Sequence, residues 1–120
     1  MACILVIEDS AFARRMTVEI LKAQGNEVLE AESGLDGIEQ AERNKPDCIV
    51  LDLLMPEISG FEVLKTLNEK GLTIPVVVLS ADIQETTRAE CLELGAVSFL
   101  NKPLHENELV EVVQGVLCSK

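Results

Sequence analysis

Residues 48–53 read Cys-Ile-Val-Leu-Asp-Leu, an apolar run that meets a carboxylate near its end. A strand open to water on one face alternates polar and apolar positions. A continuous run rich in β-branched residues instead suits a strand covered on both faces, as in a parallel sheet between helices. Two more stretches have this character: Cys-Ile-Leu-Val-Ile at 3–7 and Pro-Val-Val-Val-Leu-Ser at 75–80. Glu-Val-Leu-Glu-Ala at 27–31 and Val-Ser-Phe-Leu-Asn at 97–101 are more mixed, as edge strands are. Three central and two edge strands are expected.

Between them the spacing turns helical. Leu109, Val112, Val113, Val116 and Leu117 form one stripe, with Glu106, Glu108 and Glu111 off it. Gly25, Gly71 and Gly95 stand where a left-handed residue ends a helix. Ser59 with Glu62, and Asp82 with Glu85, read as capping pairs at helix starts. Phe12 and Phe61 read as core residues on helix faces. Strand and helix alternate five times, with no internal repeat and no linker. One α/β domain over 1–120 is predicted: a (βα)5, doubly wound, five-stranded parallel sheet in a three-layer sandwich with right-handed crossovers.

Composition narrows the function. Ten basic residues against 21 acidic ones give a net charge of −11. Such a surface repels phosphate backbones and anionic membranes, so direct nucleic-acid binding is disfavoured. No apolar run approaches the roughly 18 residues that cross a bilayer, and the N-terminus lacks the basic flank of a signal peptide. Cys3, Cys48, Cys91 and Cys118 are scattered, without a C-x-x-C pair, which fits structural thiols in a reducing cytoplasm. His105 is the only histidine, so a zinc site is not expected.

In a sheet of this class a ligand sits beyond the carboxyl ends of the strands. The residues there are Glu8 and Asp9 after strand one, Asp52 at strand three, Ser80 at strand four and Lys102 after strand five. Three carboxylates brought together repel one another unless a cation joins them. Mg²⁺, a hard ion held by carboxylates and phosphate oxygens, suits that set. Lys102 adds a fixed positive charge and Ser80 a hydroxyl. The group forms a cradle for a phosphoryl group on a carboxylate.

Four motifs in order, each at an expected strand end, carry a family resemblance: Glu8-Asp9; Asp52-Leu53-Leu54-Met55-Pro56 with Gly60 following; Ser80-Ala81; and Lys102-Pro103. The chain resembles a response-regulator receiver domain over essentially its whole length. The resemblance implies a flavodoxin-like strand order 2-1-3-4-5. It implies that Asp52 accepts phosphate from a phosphohistidine of a sensor kinase or histidine phosphotransfer domain. Glu8, Asp9, Asp52 and the Leu54 backbone carbonyl would hold Mg²⁺, while Ser80 and Lys102 would bind the phosphoryl group. Movement of Ser80 would let Phe99 turn inward and remodel the face of helix four, strand five and helix five, where a downstream protein docks. Leu54 and Asp82 would tune the lifetime of the phosphate, and the Lys102-Pro103 bond would be cis. Two departures stand out: many members carry two aspartates where this chain has Glu8-Asp9, and Tyr is frequent where it has Phe99.

Taken singly, these residues have plainer readings. Asp9 or Ser10 could cap helix one, Ser80 could be a turn residue, Lys102 a surface charge and Phe99 a packing residue. His105 reads as an exposed first-turn residue, and Glu106, Glu108 and Glu111 as a solvated helix face. Asp52 resists such a reading, because a carboxylate closing a buried strand is rarely left unpaired. A haloacid-dehalogenase-type enzyme would need an acid two residues beyond Asp52, where Leu54 stands. A flavodoxin-like cofactor binder would need hydroxyls and glycines where Glu8-Asp9 stands. A non-phosphorylated docking module would not need the full set. The reading is therefore a phosphorylation switch rather than an enzyme, with a phosphorelay shuttle or phosphate sink as the alternative. Because the chain ends just after the fifth helix, no output domain is expected. The acidic helix-five face disfavours pairing there, so a monomer is expected.

Overall fold

The computed structural model describes residues 2–82 and 84–118. Among them, five strands alternate with five helices: β1 (Cys3–Ile7), α1 (Ala11–Ala23), β2 (Glu27–Ala31), α2 (Gly34–Asn44), β3 (Cys48–Asp52), α3 (Gly60–Glu69), β4 (Val76–Ser80), α4 (Glu85–Glu93), β5 (Ser98–Asn101) and α5 (Glu106–Cys118). All strand pairs are parallel, in the order β2-β1-β3-β4-β5. The expected fold is the observed one.

Strand periodicity divides the core into two layers. Leu5, Ile7, Ile49, Leu51, Val76 and Val78 face α2, α3 and α4, meeting Ile38, Ala41, Val63, Leu64, Leu67 and Cys91. Ile4, Val6, Cys48, Val50, Val77, Leu79 and Leu100 face the other way, onto Val18 and Leu21 of α1 and Leu109 and Val113 of α5. All five residues of β3 and of β4 are buried, as sheet interior strands must be.

The strand limits differ from the sequence reading by one residue in three places. Leu53 lies beyond β3 yet is fully buried, its N–H donating to the Leu79 carbonyl. Pro75 precedes β4 and offers no N–H, but its carbonyl accepts from Ile49. Val97 precedes β5, with its N–H on the Val76 carbonyl.

Helix ends follow local chemistry. Ser10, Ser33 and Ser59 cap α1, α2 and α3, each hydroxyl accepting a backbone N–H three residues on. Gly25, Gly71 and Gly95 hold φ of +86°, +71° and +103°, the left-handed backbone that ends a helix without a Cβ penalty. Two expectations fail. Asp82 does not cap α4: the N-cap is Gln84, which makes no side-chain cap bond. The Asp82 carboxylate turns instead to the Gln84 N–H and the Thr87 hydroxyl. Phe12 is not core. It is 77% exposed, because the buried stripe of α1 is Thr17, Val18 and Leu21 and Phe12 lies off it. Phe61 does pack against the core.

Candidate functional site

Strands β1 and β3 are neighbours in register, Ile7 beside Leu51, so the residues that follow them emerge side by side. Glu8 continues the β1–β2 ladder by donating its N–H to the Ala31 carbonyl, then Ser10 starts α1. Asp52 closes β3 opposite Leu79, one residue before Ser80 ends β4. One carboxylate oxygen from each of Glu8, Asp9 and Asp52 lies within 4.8 Å of the other two. Glu8 and Asp52 are buried and Asp9 is exposed.

Lys102, on the turn after β5, reaches across this group. Its Nζ lies 3.1 Å from Glu8 Oε1 and 3.0 Å from Asp52 Oδ1. The other Glu8 oxygen accepts the Ser10 N–H at 3.1 Å. Burial, followed by the charge of Asp52, raises the Glu8 carboxyl above the usual glutamate range, and Lys102 and the Ser10 amide only partly oppose it. Burial alone would lower the Lys102 ammonium. Its bonds to Asp52 and Glu8 outweigh that and hold it above the usual lysine range. Three carboxylates against one ammonium leave the cluster with formal charge −3 + 1 = −2.

Ser80 is fully buried at the end of β4, and its Oγ accepts the Asp82 N–H at 3.0 Å. Its neighbour on β5 is Asn101, and Lys102 donates its N–H to the Ser80 carbonyl. This places Ser80 and Lys102 on the same edge. The Lys102–Pro103 bond is cis. Leu54, two residues beyond Asp52, is 59% exposed. Asp82 is half-buried, and its bonds to the Gln84 N–H and the Thr87 hydroxyl at 2.7 Å hold its carboxyl below the usual range. Phe99 is half-buried on β5 and packs against the α2–α3–α4 side of the core. Glu106, Glu108 and Glu111 are exposed on α5, as is His105 just before it.

Two neighbours of the site carry no mark in the sequence. Arg14 of α1 donates to the Glu8 backbone carbonyl at 2.8 Å, and Thr87 of α4 holds Asp82. Only the fold puts these helices beside those loops.

The donor set matches a hard divalent cation: carboxylate oxygens, two of the three buried, close together and with excess negative charge. The cluster thus fits Mg²⁺.

The sequence profile of the response regulator receiver domain matches residues 4–114. The chain belongs to this family. Receiver domains are signalling switches of two-component systems, and they generally bind Mg²⁺ at an acidic pocket of this kind. Protein PilH of Pseudomonas aeruginosa is 34% identical to this receiver, over 98% of each chain. Chemotaxis protein CheY of Bacillus subtilis is 31% identical, with 95% of this chain and 96% of that one covered. The Francisella response regulator 1452 receiver domain superposes with a TM-score of 0.95 at 26% identity, covering 99% of this chain and 98% of that one. Other curated relatives are longer: the receiver spans 49%, 48% and 29% of three of them. Among the described residues no helix is long and apolar enough to cross a membrane, and all four cysteines are free thiols.

Proposed function

We propose that this receiver accepts a phosphoryl group on Asp52 from a phosphohistidine of a sensor kinase or histidine phosphotransfer domain. The observation that supports it best is the carboxylate at the end of a central strand, flanked by two more acids and one shared ammonium. An Asp52 oxygen attacks phosphorus in line, the P–N bond to the donor imidazole breaks as the P–O bond forms, and the imidazole leaves. Little acid–base chemistry is required; the demand is for charge neutralisation and alignment. Lys102 lies 3.0 Å from Asp52, close enough to pair with the incoming phosphoryl oxygens. Ser80 has a hydroxyl on the same edge to donate to another. Glu8, Asp9, Asp52 and the Leu54 carbonyl would hold Mg²⁺, which when bound neutralises charge on the transferring group. Leu54, exposed and apolar, and Asp82, engaged with Thr87, would set how readily water attacks the acyl phosphate.

The output follows from Ser80. Drawn toward the phosphoryl group, its hydroxyl leaves the Asp82 N–H, and Phe99 turns further into the space beside β5. The face of α4, β5 and α5 is thereby remodelled for a downstream protein. Relatives matched along nearly their full lengths support a reading in which the receiver domain itself carries the signal. The test is incubation with acetyl phosphate and Mg²⁺, followed by intact mass. A phosphoryl adduct on wild type and none on Asp52→Asn is the expected result. An adduct of equal yield on the variant overturns the assignment.

A further inference from the structure

Arg14 is an unusual cation for this surface. Its side chain is only 16% exposed, and its guanidinium spans two acceptors: Nη1 donates to the Glu8 backbone carbonyl at 2.8 Å, and Nε to Glu30 Oε1 of β2 at 3.1 Å. Glu30 is tied down in turn. Its backbone carbonyl accepts from Gln40 of α2 at 2.7 Å, and Gln40 also reaches Asp36. A chain of contacts therefore runs from α1 through the end of β1 and the edge strand to α2, on the outer side of the acidic cluster.

The Glu8 carbonyl belongs to the peptide that leads into Asp9. Fixing that oxygen fixes the peptide plane and so the direction in which the Asp9 side chain departs. Without the guanidinium, Glu8 and Asp9 would repel with one fewer restraint on the turn. Their position would then rest on the Lys102 pair, the Ser10 amide and the Glu8 N–H on the Ala31 carbonyl. Arginine suits the task because its planar fork serves two acceptors at once, whereas a lysine ammonium on a flexible stem does not reproduce that geometry.

We propose that Arg14 is a positioning residue: its guanidinium locks the Glu8 carbonyl against Glu30 and so sets the cation-binding geometry of the Glu8–Asp9 corner. The inference rests on the reading of that corner as a Mg²⁺ site. Electrostatics alone predicts the opposite sign, because deleting a nearby positive charge should tighten a divalent cation. Groups that orient ligands from behind typically contribute roughly 10-fold or more in metal affinity.

The experiment compares the full chain as wild type, Arg14→Met and Arg14→Lys. Mg²⁺ affinity is read by calorimetry, and exchange of the Ser10 amide is read by NMR in EDTA. Roughly 10-fold weaker Mg²⁺ binding is expected in both variants, together with faster Ser10 exchange, since that amide is held by the Glu8 carboxylate. Equal or tighter Mg²⁺ binding by Arg14→Met, full rescue by Arg14→Lys, or unchanged Ser10 exchange overturns the proposal. Should Arg14→Met fail to fold by circular dichroism, the Arg14→Lys comparison decides alone. Absence of Mg²⁺ binding by wild type would end the metal-site reading, while the Ser10 exchange would still decide the role of Arg14.

Discussion

The two flanks of the sheet are held differently. On the β1–β3 side, α1, α2 and α3 each start from a serine cap and each bury three or four residues. On the β4–β5 side, α4 starts at Gln84 without a side-chain cap, and Cys91 is its one buried residue among those described. The acids of the site follow β1 and β3, beside firmly packed helices, while Ser80 leads into the loop before the lightly packed α4. A bond formed across that seam moves the side with less apolar burial, because fewer contacts oppose the shift. On the proposed reading, the contrast says where a change in the site's charge would become a change of surface: at α4 and β5, not at α1.

The sharpest way to break this picture is chemical. Asp52→Asn removes the proposed acceptor from the firm flank, and the phosphoryl adduct with acetyl phosphate should vanish in mass spectra. Next come packing changes on either side. Leu64→Ala on α3 should cost about 2–5 kcal/mol in urea unfolding, as loss of a buried leucine does. Leu92→Ala on α4 should cost under about 1 kcal/mol, since Leu92 is only half-buried. Similar losses from both would erase the contrast.

The third prediction concerns charge. The Glu8 carboxyl titrates above its ordinary value in the fold, so the folded state holds its proton more tightly than the unfolded chain does. Stability therefore rises as pH falls through the folded value, and ionised Glu8 is a penalty above it. In EDTA at pH 7, Glu8→Gln should melt above wild type, and the gap should shrink as the pH is lowered. A lower melting point for the variant at pH 7 would show that the pair with Lys102 outweighs burial. The smallest effect tests the caps. Ser59→Ala should lose about 1 kcal/mol, whereas Gln84→Ala should leave stability unchanged, because its side chain caps nothing.

Much of this was legible in the residues. Uninterrupted runs such as 75–80 suited strands covered on both faces, and glycines at 25, 71 and 95 marked the helix ends because positive φ is difficult for other residues. The candidate site was legible for the same reason: a carboxylate that ends a buried strand must have partners, and the strand ends supplied them. Phe12 was misread because hydrophobicity at one position says nothing without the stripe, and the stripe of α1 begins at Thr17. Asp82 was misread because a hydroxyl at Thr87 competes for its carboxylate, a contact set by how the loop enters α4. Arg14 and Glu30 were invisible because they meet only when α1 folds back over β2. Sixteen positions apart, they share no sequence pattern.

The shared ammonium of Lys102 has a thermodynamic consequence. One cation cannot neutralise three acids, so an anionic phosphate analogue meets a net repulsive pocket unless a divalent ion enters with it. The two bindings are then linked, and each must strengthen the other by the same factor. Beryllofluoride affinity measured across a magnesium series, and magnesium affinity across a beryllofluoride series, should return one coupling constant.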